Sequence, residues 1–192
     1  TGASVVAMRD VPGVPPHMLL FLDADLGESA VETAPLVSAV VKSETDCAIA
    51  VLPPQKGAGG HGFVVNLGRR AIERATGWKP YQPLSGQRCL TRAAFDAACP
   101  LAHGWGVEVG MTIDLLVDGF SVKEVPCHVK HRATGNDFRG KVHRLRQYVG
   151  VWRAVMLRRV RGVKVADNLL LGESIPFSSY NAYGKSPKNT AV

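Results

Sequence analysis

Residues 18–22, MLLFL, form an unbroken apolar run that stops at two carboxylates, Asp23 and Asp25, with one alanine between them. A run this short and this uniformly apolar predicts a strand inside an α/β sheet, covered on both faces. Open α/β sheets place their ligands at the carboxyl ends of strands, so Asp23 and Asp25 are expected at a binding edge. Two hard oxygen donors at this spacing can hold one Mg²⁺ or Mn²⁺, leaving its other positions to water and phosphate oxygens. The pattern suits a metal-bound diphosphate.

Other readings of Asp-x-Asp compete with this one. An EF-hand loop begun at Asp23 needs glycine at its sixth position and glutamate at its twelfth, where this chain has Glu28 and Ala34. An aspartyl-nucleophile phosphatase also carries the pair after an apolar strand, one Asp attacking phosphorus and the other moving a proton. It favours Thr or Val where this chain has Gly27. The plainest alternative is a pair of loop or capping aspartates.

The chain around this stretch alternates apolar runs with helical periodicities. Residues 1–8 read as the end of a helix, joined by a Pro-rich link to the strand. Residues 28–42 carry Val31, Pro35, Leu36, Val37, Val40 and Val41, a helical stripe begun by Glu28 and Glu32 where the helix dipole favours acids. Residues 46–52 (DCAIAVL) read as a second buried strand, stopped by Pro53 and Pro54. Strand, helix and strand at this spacing form a βαβ unit with a parallel sheet. A glycine-rich loop follows, QKGAGGHG, in which Lys56, Gly60 and His61 precede a helix over 63–76 and can receive an anion. An ordinary surface loop has the same composition.

Ser85, Gly86, Gln87 and Arg88 open a short extended piece, and Thr91 is placed to cap a helix over 92–98. Gly104, Trp105 and Gly106 come just before a helix running from Val107 to Gly119. They can form a floor shaped for a sugar, beside Glu108 in the first turn. A carboxylate there is as readily a partner of the helix dipole. Residues 120–129 alternate as a strand that delivers His131 and Arg132 past its end, where His131 can complete a metal site with the two aspartates.

Positive charge is local. Residues 130–164 hold eleven Lys/Arg against Asp137, while the remainder holds 12 basic and 15 acidic residues. Within 139–161, Val142, Leu145, Val149, Trp152, Val155, Met156 and Val160 recur at three and four as one stripe of a long helix. Its other faces carry Arg139, Lys141, Arg144, Arg146, Arg153, Arg158, Arg159 and Arg161. The stripe reads as the docking face, with a solvated basic face or peripheral contact with anionic lipid headgroups opposite. Nucleic acid is disfavoured because aromatic interleaving is thin. Cys47, Cys89, Cys99 and Cys127 form no C-x-x-C pair and read as free thiols in a reducing, cytoplasmic setting. No run of apolar residues is long enough to span a membrane.

Taken in order, LLFLDADLG, PLSGQR, GWGVEVGMTIDLL and the His131–Arg132 pair resemble the nucleotide-sugar glycosyltransferases of the GT-A fold. The similarity is strongest to the group that includes dolichyl-phosphate sugar transferases and glucosyl-3-phosphoglycerate synthase. The resemblance implies an α/β, Rossmann-like mixed sheet flanked by helices and a metal-dependent transfer from a nucleotide-diphosphate sugar. The acceptor would bear a phosphate or be lipid-linked. Asp23, Asp25 and His131 would hold Mg²⁺ or Mn²⁺, with Asp25 the more direct ligand. Glu108 and Asp25 would be the catalytic carboxylates, and Ser85, Gly86, Gln87, Gly106, Arg132, Gly60 and His61 would line the substrate space.

Such enzymes bind the nucleotide base on strands before Asp-x-Asp, and only seventeen residues precede the strand here. The chain is therefore expected to be a carboxyl-terminal portion. Its GT-A part would span 1–132, a basic amphipathic helix 133–165 and a poorly ordered tail 166–192. A peripheral position on the inner membrane face and a homodimer are compatible with this reading. Phosphoglycerate-using relatives carry Arg and Thr in the acceptor loop, where this chain has Phe63, Val64 and Val65, which counts against that acceptor. A basic anion-binding module without enzymatic activity is the remaining alternative.

Overall fold

The computed structural model describes residues 18–53, 62–129 and 138–160, with side chains of the last helix described over 146–158. Four strands form one mixed sheet in the order β1 (Leu19–Phe21), β3 (Arg88–Leu90), β2 (Cys47–Val51), β4 (Val122–Pro126). Strand β3 is antiparallel to both β1 and β2, whereas β2 and β4 are parallel. The helices are α1 (Ala34–Val41), α2 (Gly62–Thr76), α3 (Arg92–Ala97), α4 (Val107–Val117) and α5 (Phe138–Val160). The sheet is thus α/β and mixed, as the resemblance implied.

The βαβ reading was half right. Strands β1 and β2 point the same way, but β3 lies between them and pairs with each, so they are not neighbours. The expectation of a fully covered first strand is corrected too. Among the described strands β1 is an edge, and Leu20 is 41% exposed with Met18 and Leu22 also open to solvent.

Strand β2 shows why the sheet is a two-sided core. Its alternation sends Cys47 and Ile49 to one face, where they meet Ile72, Leu90, Val109, Ile113 and Leu116. Ala48 and Ala50 go to the other, against Leu36, Ala39, Val40 and Cys89. Helix α1 covers the second face, and α2, α4 and α5 build the first. Each fully buried Leu or Ile stabilises the fold by about 1.5–3 kcal/mol over an exposed one. Burial pushes the thiols of Cys47 and Cys127 up to about 12 and that of Cys89 to about 11, so all three stay protonated. All four cysteines are free.

Local chemistry sets the element ends. The expected helix over 28–42 divides into a 3-10 segment, Gly27–Thr33, and α1. Pro35 has no N–H to return to Val31, whose carbonyl instead accepts from the Ala34 N–H one residue earlier. Val31 and Val41, assigned to the apolar stripe, are exposed. Thr91 caps α3 as expected, its hydroxyl oxygen accepting from the Ala94 N–H at 3.2 Å. Gly119, at φ +85°, supplies the left-handed turn beyond α4.

The apolar stripe of the long helix is the larger correction. Helix α5 docks through Val151, Ala154 and Arg158, all buried, while Val149 and Trp152 are 46% and 47% exposed. Small residues decide this. A Cβ on Gly106 would lie 2.5 Å from the Ala154 Cβ and 2.6 Å from the Gly150 carbonyl oxygen, so the helix and the Gly104–Gly106 turn touch backbone to backbone. Arg158, expected on the solvated basic face, donates from Nε to Asp114 Oδ1 at 2.7 Å and from a terminal nitrogen to Oδ2. It also donates to the Ala154 carbonyl at 3.1 Å.

Candidate active site

The antiparallel register Phe21 opposite Arg88 brings the end of β1 against the start of β3. Asp23 therefore meets the Ser85–Gln87 loop, and the Gln87 side-chain amide donates to Asp23 Oδ2 at 2.6 Å. Gly86 lies under the same carboxylate, and a Cβ there would be 3.2 Å from Asp23 Oδ1. Glycine lets the backbone approach an acidic group closely.

Two buried groups hold this loop. Glu124 on β4, 4% exposed, accepts from the backbone N–H groups of Tyr81 and Gln82 at 2.9 and 2.7 Å. The Gln82 amide makes a reciprocal pair with the Leu52 backbone, donating at 2.7 Å and accepting at 3.0 Å. Arg88, 2% exposed, donates to the carbonyl of Ser85 at 2.8 Å and to the Thr112 hydroxyl at 2.9 Å. The Thr112 hydroxyl in turn donates to the Glu108 carbonyl at 2.8 Å. One buried cation thus ties the loop to the first turn of α4.

Above it is a cavity of about 160 Å³. Asp23 and Glu108 give its acidic wall, Gly86 its close-approach point and Gln147 of α5 a further amide. Val64, Leu84, Trp105 and Val151 make the apolar side. Burial pushes the Glu108 carboxyl above its usual range. The charge of Asp23 adds to this, while Arg88 and a hydrogen bond from Glu108's own backbone oppose it.

A carboxyl with a raised folded-state pKa stabilises the fold fully at acid pH, and that contribution is lost as pH rises through the folded value. Glu108→Gln is therefore expected to match the parent in acid and to exceed it increasingly toward neutral pH. Paired denaturant melts across pH check this, and a constant offset between the two proteins would contradict it.

Asp23, Gly86 and Glu108, all read from the sequence, meet in this cavity, and Gln87 reaches it through Asp23. Asp25 is exposed just beyond β1. Ser85 is buried and holds Arg88 through its carbonyl. Gly106 faces α5 rather than the cavity. Gly60, His61, His131 and Arg132 lie outside the described residues, as do the expected starting helix at 1–8 and the tail at 166–192. Among the described residues no three His, Cys, Asp or Glu side chains converge as a metal site. Strand β4 runs parallel to β2, and β1 points the same way, so the carboxyl ends of β1 and β4 lie at the same edge of the sheet.

Sequence reasoning passed over Arg88, Gln147 and Val151. Arg88 reads only as part of the Ser-Gly-Gln-Arg piece, and its sequence neighbours, Gln87 before and Cys89 after, do not mark it as buried. Gln147 and Val151 gave no signal, because their face of α5 is not the apolar one.

No family model matches the chain, and no curated protein matches it. Solved structures do. Glucosyl-3-phosphoglycerate synthase from Mycobacterium tuberculosis, in complex with Mn²⁺, uridine diphosphate and phosphoglyceric acid, superposes with a TM-score of 0.56 at 22% identity. That match covers 79% of this chain and 50% of the other. The same enzyme with Mg²⁺ and uridine diphosphate gives 0.53 at 19% identity, covering 79% and 50%. Without a named ligand it gives 0.52 at 22%, covering 79% and 51%. The chain spans about half the length of these structures and shares their GT-A fold.

Proposed function

We propose that this chain carries the sugar-transfer side of a metal-dependent glycosyltransferase. It would move a sugar from a nucleotide-diphosphate donor to a phosphate-bearing or lipid-linked acceptor. The observation that carries this reading is the meeting of Asp23 and Glu108 in one cavity, at the carboxyl end of β1 in a GT-A fold. The likeness to structures complexed with uridine diphosphate and Mn²⁺ or Mg²⁺ supports the same class.

The carboxylates fit a hard divalent ion. Two oxygen donors at a strand end, with Gly86 leaving room beside one of them, suit a cation that keeps several positions for water and phosphate oxygens. Asp23 and Asp25 would hold it, joined by His131, and it would supply charge neutralisation for the departing diphosphate.

The chain's own residues do the rest. Gln87 fixes the Asp23 carboxylate through its 2.6 Å bond. Glu108 accepts from sugar hydroxyls, and its raised proton affinity suits it to take a proton from a hydroxyl acceptor. A phosphate acceptor attacks with its own charge and leaves Glu108 the orienting role. Trp105 and Val151 exclude water from one side. No covalent intermediate is required.

Asp25→Asn is expected to weaken Mn²⁺-dependent binding of a nucleotide-diphosphate sugar at least tenfold, about 1.4 kcal/mol. Binding in the absence of Mn²⁺ should stay unchanged. Calorimetric titration with and without the ion measures both. Equal Mn²⁺-dependent affinity in the two proteins would remove the metal assignment.

A further inference from the structure

Helix α5 has two faces with different tasks. Val151, Ala154 and Arg158 are spent on the domain, as is Gln147 at the cavity. At 3.6 residues per turn, Val149, Trp152 and Met156 fall on the opposite side. Trp152 is 47% exposed, Val149 46% and Leu157, near its margin, 57%. Arg146 and Arg153, one heptad apart and both exposed, run along one flank of this apolar row, with the half-exposed ring of Tyr148 on the other. Phe138–Val160 contains seven Lys/Arg and no Asp or Glu. Of the three cations whose side chains are described, Arg146, Arg153 and Arg158, the last is drawn inward, to Asp114.

We propose that this outer face of α5 lies in the plane of an anionic lipid bilayer. Trp152, Val149 and Leu157 would enter the headgroup boundary, and Arg146 and Arg153 would reach lipid phosphates. An apolar row flanked by cations is the pattern of an interfacial helix, whose long basic side chains bend toward the phosphates while the row is buried. No helix among the described residues is long and apolar enough to cross a membrane, so the contact is peripheral.

Charge complementarity and shape select this occupant over two others. Nucleic acid satisfies the arginines but leaves Val149, Trp152 and Leu157 against phosphate and water. A second copy packed by two-fold symmetry sets one all-cationic helix against another. An anionic bilayer pairs with both halves of the pattern. The proposal does not depend on the sugar-transfer reading, since neither the carboxylates nor donor binding enters it.

The test is sedimentation of the full chain with phosphatidylcholine vesicles, with and without phosphatidylglycerol, at one salt concentration. Binding is expected only with the anionic lipid. Each Arg contributes about 1 kcal/mol near such a surface, or about fivefold, so the Arg146→Gln/Arg153→Gln double variant should bind about 25-fold more weakly. Trp152→Ala should lose at least tenfold, and unchanged thermal melts would show that both variants are folded. The proposal is overturned by equal binding to neutral vesicles, by no binding to anionic ones, or by loss of a dimer on Trp152→Ala. Tighter binding to a DNA duplex than to anionic vesicles at the same salt would also overturn it.

Discussion

Replacing Asp114 with alanine is expected to cost the fold about 3–5 kcal/mol, because it leaves the Arg158 guanidinium buried without its counter-ion. The Arg158 side chain is 9% exposed and that of Asp114 24%, and the two meet through a two-point fork. With the carboxylate gone, the acceptor left to the guanidinium among the described residues is the Ala154 carbonyl. Gly110 lies against the guanidinium, a Cβ there standing 2.8 Å from its carbon. For a chain of this length the loss corresponds to a fall in Tm of roughly 10 °C.

Pairing the change with Arg158→Met separates the causes. If the cost is an unpaired buried charge, the double variant recovers most of the stability, as apolar replacements of buried ion pairs do. If the double variant is as unstable as Asp114→Ala, the pair holds the structure in some other way. The effect reaches the cavity too, because α5 provides Gln147 and Val151 to its wall.

Arg88→Met is expected to be comparably damaging, again about 3–5 kcal/mol, for the mirror-image reason. Arg88 is the buried cation beside two carboxylates, Glu108 and Glu124. Without it the Ser85 carbonyl and the Thr112 hydroxyl lose a charged donor, and the loop carrying Gly86 and Gln87 loses its tie to α4. The consequence for Glu108 has a definite sign. Arg88 holds that carboxyl down against burial, so removing it moves the Glu108 titration to still higher pH.

Carbon-detected NMR titration of the Glu108 carboxyl in both proteins measures the move. A downward or absent shift would show that Arg88 does not act on the site. Arg88→Lys keeps the charge but not the fork, so it should preserve the titration better than the stability.

Much of the acidic site was legible because it is built from local rules. An apolar run that ends in Asp-x-Asp, followed later by a Ser-Gly-Gln-Arg turn and a glutamate in a first helical turn, places those residues at element ends. The structure joins Asp23, Gly86 and Glu108 in one cavity. The walls supplied by Gln147 and Val151 were not legible, because their proximity comes from helix docking rather than from neighbouring sequence.

The sequence alone determined the period-two division of β2 between two cores, the Thr91 cap, the glycine turn after α4 and the grouping of positive charge near α5. These follow from side-chain direction, hydrogen-bonding capacity and φ preference within a few residues. Only the tertiary structure decided that β3 enters between β1 and β2, leaving β1 an edge among the described strands. It also decided that α5 turns its small-residue face inward. Periodicity identifies the stripes on a helix but not which one docks. Here close backbone approach at Gly106 and Gly150, together with the buried Arg158–Asp114 pair, outweighed burial of Val149 and Trp152.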